Sequence, residues 1–211
     1  MVNSHKLFIF LNNMNWETML AFGDSITFGA RSYLGYPEIC GDKLGSKLKK
    51  EWHVINHSTK GFTTIDLLRS INPIFENYKN CYPSIITVMI GTNDIKNHVD
   101  INEFQIAYTQ LIIKLRLLSI NNNVILFKIP RLTQKVFYPY NFSMNQRIKE
   151  FNMVIEKLSS EHKLRCFEFD FSDDDFYDGV HLNSKGCYTA AEQLTALILK
   201  DKGFESTSDM S

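Results

Sequence analysis

The stretch AFGDSITFGA, residues 21–30, leaves an apolar run and places Gly23, Asp24 and Ser25 directly after it. A serine there can cap the helix that follows. It can also stand exposed as a nucleophile, for which a base must take its proton as it attacks. Histidine suits that task, with an unperturbed pKa near about 6.5. DGVHLN, residues 178–183, carries His181 with Asp178 three positions before it. One loop can therefore supply both the base and the carboxylate that fixes its tautomer. Acyl transfer also needs donors for an oxyanion, and losing one typically costs roughly 2.7–4 kcal/mol of barrier stabilisation. The candidates are the backbone N–H of Ser25, the backbone N–H of Gly61 in NHSTKG (56–61) and the side-chain amide of Asn93 in GTND (91–94).

Each group has a plainer reading as well. Ser25 alone is more often an N-cap than a nucleophile, and Asn93 or Asp94 can cap the turn that contains them. His5, His53, His57, His98 and His162 have no aspartate placed like Asp178, and His57 reads as structural or pocket-lining. The run Asp173, Asp174, Asp175 lacks the sixth-position glycine of a calcium loop, so it reads as a solvated acidic loop and no metal is expected. The aromatic loop KVFYPYNF (135–142) follows KIPRL (128–132), and loops at such an edge shape pockets. Arg131 and Tyr138, with Arg31, Tyr33 and Tyr36 from the first loop, are expected to wall a substrate pocket. The alternative is that the aromatics pack on each other or form an oligomer contact. No G-x-S-x-G occurs, which disfavours the nucleophile elbow.

These residues must be held by something, and the elements are readable. TMLAF (18–22), HVINHS (53–58), SIITVMIG (84–91), NVILFKIP (123–130) and LRCFEF (164–169) read as five strands. Three are apolar on both faces, as parallel strands under helices are. Helical segments alternate with them: 37–50, 63–78 capped by Thr63 or Thr64, 103–119, 143–162, and one beginning after Asn183. Pro73 is expected to break or restart the second, and Ser143 with Gln146 reads as a capping box opening the fourth. The alternation predicts a three-layer α/β/α domain with a five-stranded parallel sheet over 17–202. Residues 1–16 form an N-terminal extension and 203–211 a polar tail.

Composition narrows the class. With 44% hydrophobic and 22% charged residues the chain is ordinary for a globular protein. Lysine plus arginine equals aspartate plus glutamate at 23 each, which argues against a nucleic-acid partner. Cys40, Cys81, Cys166 and Cys187 show no metal or disulfide spacing and read as reduced. The run LFIFL (7–11) is too short for a secretory signal, and no stretch approaches the ~20 apolar residues of a membrane span. A cytoplasmic location follows as the expectation.

Taken together, GDS with Ser25, NHSTKG with Gly61, GTND with Asn93 and DGVHLN with Asp178 and His181 resemble the four signature blocks of the SGNH (GDSL-type) hydrolase superfamily. They occur in the family's order and span residues 23–183. Two departures stand out: Ser58 where many relatives carry glycine, and GDSIT in place of GDSL. The resemblance implies a flavodoxin-like fold, ester hydrolysis, Ser25 as nucleophile, His181 as base, Asp178 as its orienter, and an oxyanion hole of Ser25, Gly61 and Asn93. The expectation is a cofactor-independent serine esterase acting on short acyl groups, such as an O-acetyl on a sugar. The rivals are a lysophospholipase or acyl thioesterase for longer chains, an acyltransferase, and a ligand-binding module on the same fold.

Overall fold

The computed structural model describes residues 16–78, 82–119 and 122–203. Most of the expected N-terminal extension and C-terminal tail, and Cys81, lie outside those residues. Five strands, β1 (Trp16–Gly23), β2 (Glu51–Asn56), β3 (Ile85–Met89), β4 (Val124–Phe127) and β5 (Arg165–Phe167), pair in parallel in the order β2-β1-β3-β4-β5. The helices are α1 (Ser25–Phe28), α2 (Tyr36–Leu48), α3 (Thr64–Tyr78), α4 (Thr92–Lys96), α5 (Ile101–Leu117), α6 (Asn145–Glu161) and α7 (Ser184–Asp201).

The two-residue period of the central strands divides the core into two layers. Leu20 and Phe22 of β1, Ile86 and Val88 of β3, and Val124 and Leu126 of β4 pack beneath α3, α5 and α6. Met19, Ile85, Met89, Ile125 and Phe127 face the opposite way, onto α2 and α7. The three central strands are buried on both faces where they pair, whereas the edge strands β2 and β5 are only partly covered. Each fully buried Leu, Ile or Phe contributes roughly 1.5–3 kcal/mol. The sheet and its two helical layers are thus a rigid platform for the loops at its carboxyl edge.

Two expectations about helices differ from what is found. Pro73 lies inside an unbroken α3. It sits on the exposed face of the helix, away from the core side that Leu67, Leu68 and Ile71 bury. Ser143 and Gln146 form no capping box: Ser143 lies in a 3₁₀ turn (Phe142–Met144), its hydroxyl donates to Asn141, and α6 starts at Asn145. A capping box does open α3, where Thr63 and Asp66 exchange hydrogen bonds.

The strand order places β2 to one side of β1 and β3 to the other. The chain therefore reverses its winding between β1 and β3, and in open α/β sheets ligands bind in the crevice at that reversal. Ser25 follows β1 and Asn93 follows β3, so the two flank this crevice.

Candidate functional site

The N-cap of α1 is Asp24, not the serine: its Oδ1 accepts the Ile26 N–H at 2.9 Å. That leaves Ser25 on the first turn with its hydroxyl free for other work. Ser25 Oγ lies 2.9 Å from His181 Nε2, across 156 residues of sequence. His181 Nδ1 lies 2.8 Å from Asp178 Oδ2. A carboxylate only accepts, so Nδ1 carries the proton and Nε2 is left to accept from the serine. Asp178 Oδ1 accepts the backbone N–H groups of His181 at 2.8 Å and Val180 at 3.1 Å, which folds the loop around the carboxylate. Burial alone would raise the Asp178 pKa, but the bonds from His181 and Val180 outweigh it and hold it below the usual value. Asp178 is therefore ionised and able to stabilise an imidazolium.

The donors expected for an oxyanion sit on three loops, those after β1, β2 and β3. Gly61 has φ +83°, a left-handed conformation suited to glycine, and a Cβ there would meet nothing within 4 Å. Among the described residues, neither the Gly61 nor the Ser25 backbone N–H has an acceptor. Asn93 is buried in α4 and donates one amide N–H to the Phe62 carbonyl at 3.0 Å, which leaves its second N–H for another acceptor. Gly91, before α4, has φ +131°, and a Cβ there would strike Ile129 at 2.5 Å. GTND therefore needs its glycine for both conformation and space.

Hydrogen bonds join these loops to one another. The His57 and Thr59 N–H groups donate to Ala21 and Gly23, extending the β1–β2 pairing into the second loop. Thr64, at the start of α3, donates its N–H to Asp94. The Thr133 N–H donates to the Gly179 carbonyl at 3.0 Å, which ties the loop after β4 to the one carrying Asp178 and His181. Ser58 is held through its N–H and hydroxyl, both donating to Asn56 Oδ1. The serine in place of glycine thus has a partner inside its own loop.

The expected pocket wall is only partly assembled. Arg31 reaches Asp178: its Nε is 3.7 Å from Asp178 Oδ2 and its guanidinium lies over the Tyr177 ring. Tyr36 does not; it is fully buried between Thr27, Phe127 and Phe169, so no surface of it can meet a substrate. Tyr33 and Tyr138 project into solvent, 95% and 90% exposed. Arg131 pairs with Asp173 at 2.6 Å and lines a groove of about 150 Å³ with Lys128, Glu168 and Phe171, beside the ends of β4 and β5. His57 stacks on Phe22 and meets the edge of Tyr78, and burial depresses its pKa, so it is a neutral packing group. The acidic run is not wholly solvated. Asp175 is buried and accepts the N–H and hydroxyl of Ser172 and the hydroxyl of Thr189.

One neighbour of the site was missed in the sequence. Tyr140, in the aromatic loop after β4, donates its hydroxyl to Asn93 Oδ1 at 3.3 Å. The loop carries a tyrosine on either side of Pro139, and nothing in its composition tells which one turns inward.

With this geometry in place, likeness to known proteins becomes informative. The sequence matches the GDSL-like lipase/acylhydrolase family over residues 21–187, and the chain belongs to that family. It is a hydrolase acting on ester bonds. No curated protein matches it. Among solved structures, the psychrotrophic esterase EstA from Pseudoalteromonas sp. is 20% identical, with 89% of this chain and 99% of that one covered at a TM-score of 0.68. An acetyl xylan esterase, AlAXEase, is 20% identical over 86% of this chain and 99% of its own, with a TM-score of 0.71. A lipolytic protein of the G-D-S-L family from Veillonella parvula is 18% identical over 88% and 99%, with a TM-score of 0.70. At these identities the likeness establishes the shared three-layer fold.

Proposed function

We propose that the protein is a serine esterase working through an acyl-enzyme, with Ser25 as nucleophile, His181 as base and Asp178 as its orienter. The observation that carries this is the unbroken line Ser25 Oγ–His181 Nε2, His181 Nδ1–Asp178 Oδ2, at 2.9 and 2.8 Å. Ser25 Oγ attacks the ester carbonyl carbon while its proton passes to Nε2. The carbonyl oxygen, now negative, takes hydrogen bonds from the N–H groups of Ser25 and Gly61 and from the free amide N–H of Asn93. As the C–O bond breaks, the departing alcohol takes the proton from Nε2. Water then attacks the acyl carbon, gives its proton to the same nitrogen, and the acid leaves with Ser25 restored. The proposal uses no metal and no cofactor.

For the substrate we favour a short acyl ester on a polar alcohol, with an O-acetylated carbohydrate as the class. The rim supports this: Arg31 beside Asp178 and Tyr177 beneath its guanidinium are open to solvent and present a cation and a phenol ring, which suits hydroxylated surfaces. The acetyl xylan esterase among the similar structures agrees with it. Phe28 and Phe137 are also exposed, 45% and 67%, and they favour a second reading in which a longer acyl chain lies along the rim. The free Cys40, Cys166 and Cys187 support a cytoplasmic setting.

Hydrolysis of p-nitrophenyl acetate, butyrate and octanoate by wild type and Ser25→Ala tests both levels. Preference for acetate with an inactive variant supports the short-acyl esterase, and preference for octanoate moves the substrate to longer chains. The Pseudoalteromonas esterase is inhibited by monoethylphosphonate, so a reactive ethylphosphonate is a fitting probe for Ser25. Folded wild type that neither turns over nor is labelled would favour the ligand-binding module. Labelling without hydrolysis would favour an acyltransferase.

A further inference from the structure

Tyr140 belongs to none of the four sequence blocks, yet it reaches their centre. Its hydroxyl donates to Asn93 Oδ1 at 3.3 Å, while Asn93 Nδ2 donates to the Phe62 carbonyl at 3.0 Å. An amide has two ends, and here each is claimed by a partner of the correct polarity. The Phe62 carbonyl can only accept, so a flipped amide would set Oδ1 against it and lose that bond; with Nδ2 fixed there, Oδ1 is the end that receives the phenol proton. The remaining Nδ2–H is the one that faces no protein acceptor among the described residues. We infer that Tyr140 is a positioning residue for the oxyanion donor: it fixes the orientation of the Asn93 amide and polarises it, so that the free N–H is a stronger donor to a developing oxyanion. This inference rests on the esterase reading of the site.

Further observations agree with that role. The phenol ring packs against the main core, which restrains it, and its loop is pinned by the Tyr140 N–H bond to the Phe137 carbonyl at 3.0 Å. Burial, and then the charges of Asp24 and Asp178, raise its pKa well above the ordinary phenol value, so it remains a donor throughout the working pH range. The same charges place the hydroxyl in the field of the two carboxylates that flank Ser25 in sequence and in the triad. A hydrogen bond to the acceptor end of an amide strengthens its donor end, because linked dipoles polarise one another. The gain counts most when the oxygen beyond it becomes negative, so it is expressed in the transition state more than in substrate binding.

The test is Tyr140→Phe, which removes one oxygen and keeps the ring, read with p-nitrophenyl acetate in wild type and in Asn93→Ala. The expected result is a fall in kcat of about tenfold with KM unchanged and a melting temperature lowered by no more than the loss of one hydrogen bond brings. In Asn93→Ala the second substitution should have no further effect, because the group through which it acts is gone. An equal loss in both backgrounds, a change in KM alone, or no change would each overturn the inference. If Asn93→Ala does not fold, the kcat-against-KM split of the single variant decides. Ethylphosphonate labelling of Ser25 in Tyr140→Phe separates the two levels: labelling that persists while the cycle is additive sinks this inference alone, whereas an unlabelled wild type sinks the esterase reading beneath it.

Discussion

Both carboxylate oxygens of Asp94 accept the backbone N–H of Thr64, at 3.1 and 2.9 Å, and Oδ2 also accepts the Thr64 hydroxyl at 3.2 Å. Thr64 lies three residues after Gly61, and Asp94 follows Asn93. One buried side chain therefore joins two of the three loops that hold the proposed oxyanion donors. Asp94→Ala would strand the Thr64 N–H, at a cost of about 2 kcal/mol, or roughly a 5 °C fall in melting temperature for a chain of this size. The kcat for p-nitrophenyl acetate should fall with it, because the spacing of two donors is no longer fixed. Asp94→Asn keeps one acceptor and should lose less on both counts. A destabilised Asp94→Ala with full kcat would show that the donors are held without the clamp.

Two residues expected in the pocket now make opposite predictions. Tyr36 is fully buried, with its hydroxyl 3.3 Å from Thr27 Oγ1. Tyr36→Phe should cost about 1 kcal/mol of stability, the worth of one hydrogen bond, and leave KM alone. Arg31 is half exposed, and its pair with Asp178 at 3.7 Å is of the kind that adds about 1 kcal/mol at most. Arg31→Ala should barely move the melting temperature but raise KM for an acetylated sugar. Melting curves and initial rates on the two variants check this, and a KM effect at Tyr36 would put that residue back in the pocket.

The sequence made the platform and the loop residues legible for different reasons. Strands such as Ile85–Met89 and Val124–Phe127 are apolar on both faces because helices cover both, and that pattern needs no tertiary knowledge to read. Ser25, Gly61, Asn93, Asp178 and His181 were legible because the residue types that acyl transfer needs follow successive strands. The pocket was not legible to the same degree. Tyr33 and Tyr36 are three positions apart in the same stretch, yet one is 95% exposed and the other fully buried, since α2 begins at Tyr36 and carries it under the sheet. Tyr138 and Tyr140 repeat the point in the loop after β4. Direction there is set by the path of an irregular segment, which periodicity does not describe. The capping box at Ser143 failed for a local reason: a 3₁₀ turn takes up the residues that would have formed it.

Gly61 offers a test of backbone geometry that is separate from packing. A Cβ at this position meets nothing within 4 Å, so Gly61→Ala introduces no clash. The left-handed φ of +83° remains unfavourable for alanine, by roughly 1–2 kcal/mol. The chain can relieve that strain by rotating the peptide, and rotation turns the Gly61 N–H away from its present direction. The expected result is a stability loss near that figure with a fall in kcat of more than about tenfold, since an oxyanion donor depends on direction. Equal activity in Gly61→Ala would remove this N–H from the proposed set of donors.

Asp24 carries the clearest pH signature. Its Oδ1 caps α1, and burial, with the charge of Asp94 adding, outweighs the hydrogen bonds from Ile26 and the Thr92 side chain and pushes its pKa from 3.8 up to about 7. Burial likewise raises Asp94 to about 6. Over that range the folded chain keeps protons that the unfolded chain has released. Each group therefore contributes stability that is complete below about pH 3.8 and is lost as pH rises through its folded value. Asp178 has the opposite sign, but its lowered pKa confines the effect to pH below 3.8. His57, held neutral by burial, also opposes it, since the unfolded chain gains a proton below 6.5 and stability there rises with pH. The total slope thus mixes signs, and a difference between two proteins isolates Asp24. Asn at position 24 still caps α1 through its Oδ1 and never ionises. Asp24→Asn and wild type should therefore differ least near pH 4, and the variant should gain on wild type up to about pH 7 and level off above it. The upper bound is about 4 kcal/mol, from three units of pKa at 1.36 kcal/mol each. Melting temperatures at four or five pH values between 4 and 8 measure the gap. Two parallel curves would mean that Asp24 is ionised in the folded protein at neutral pH, with the donors at Ile26 and Thr92 outweighing its burial.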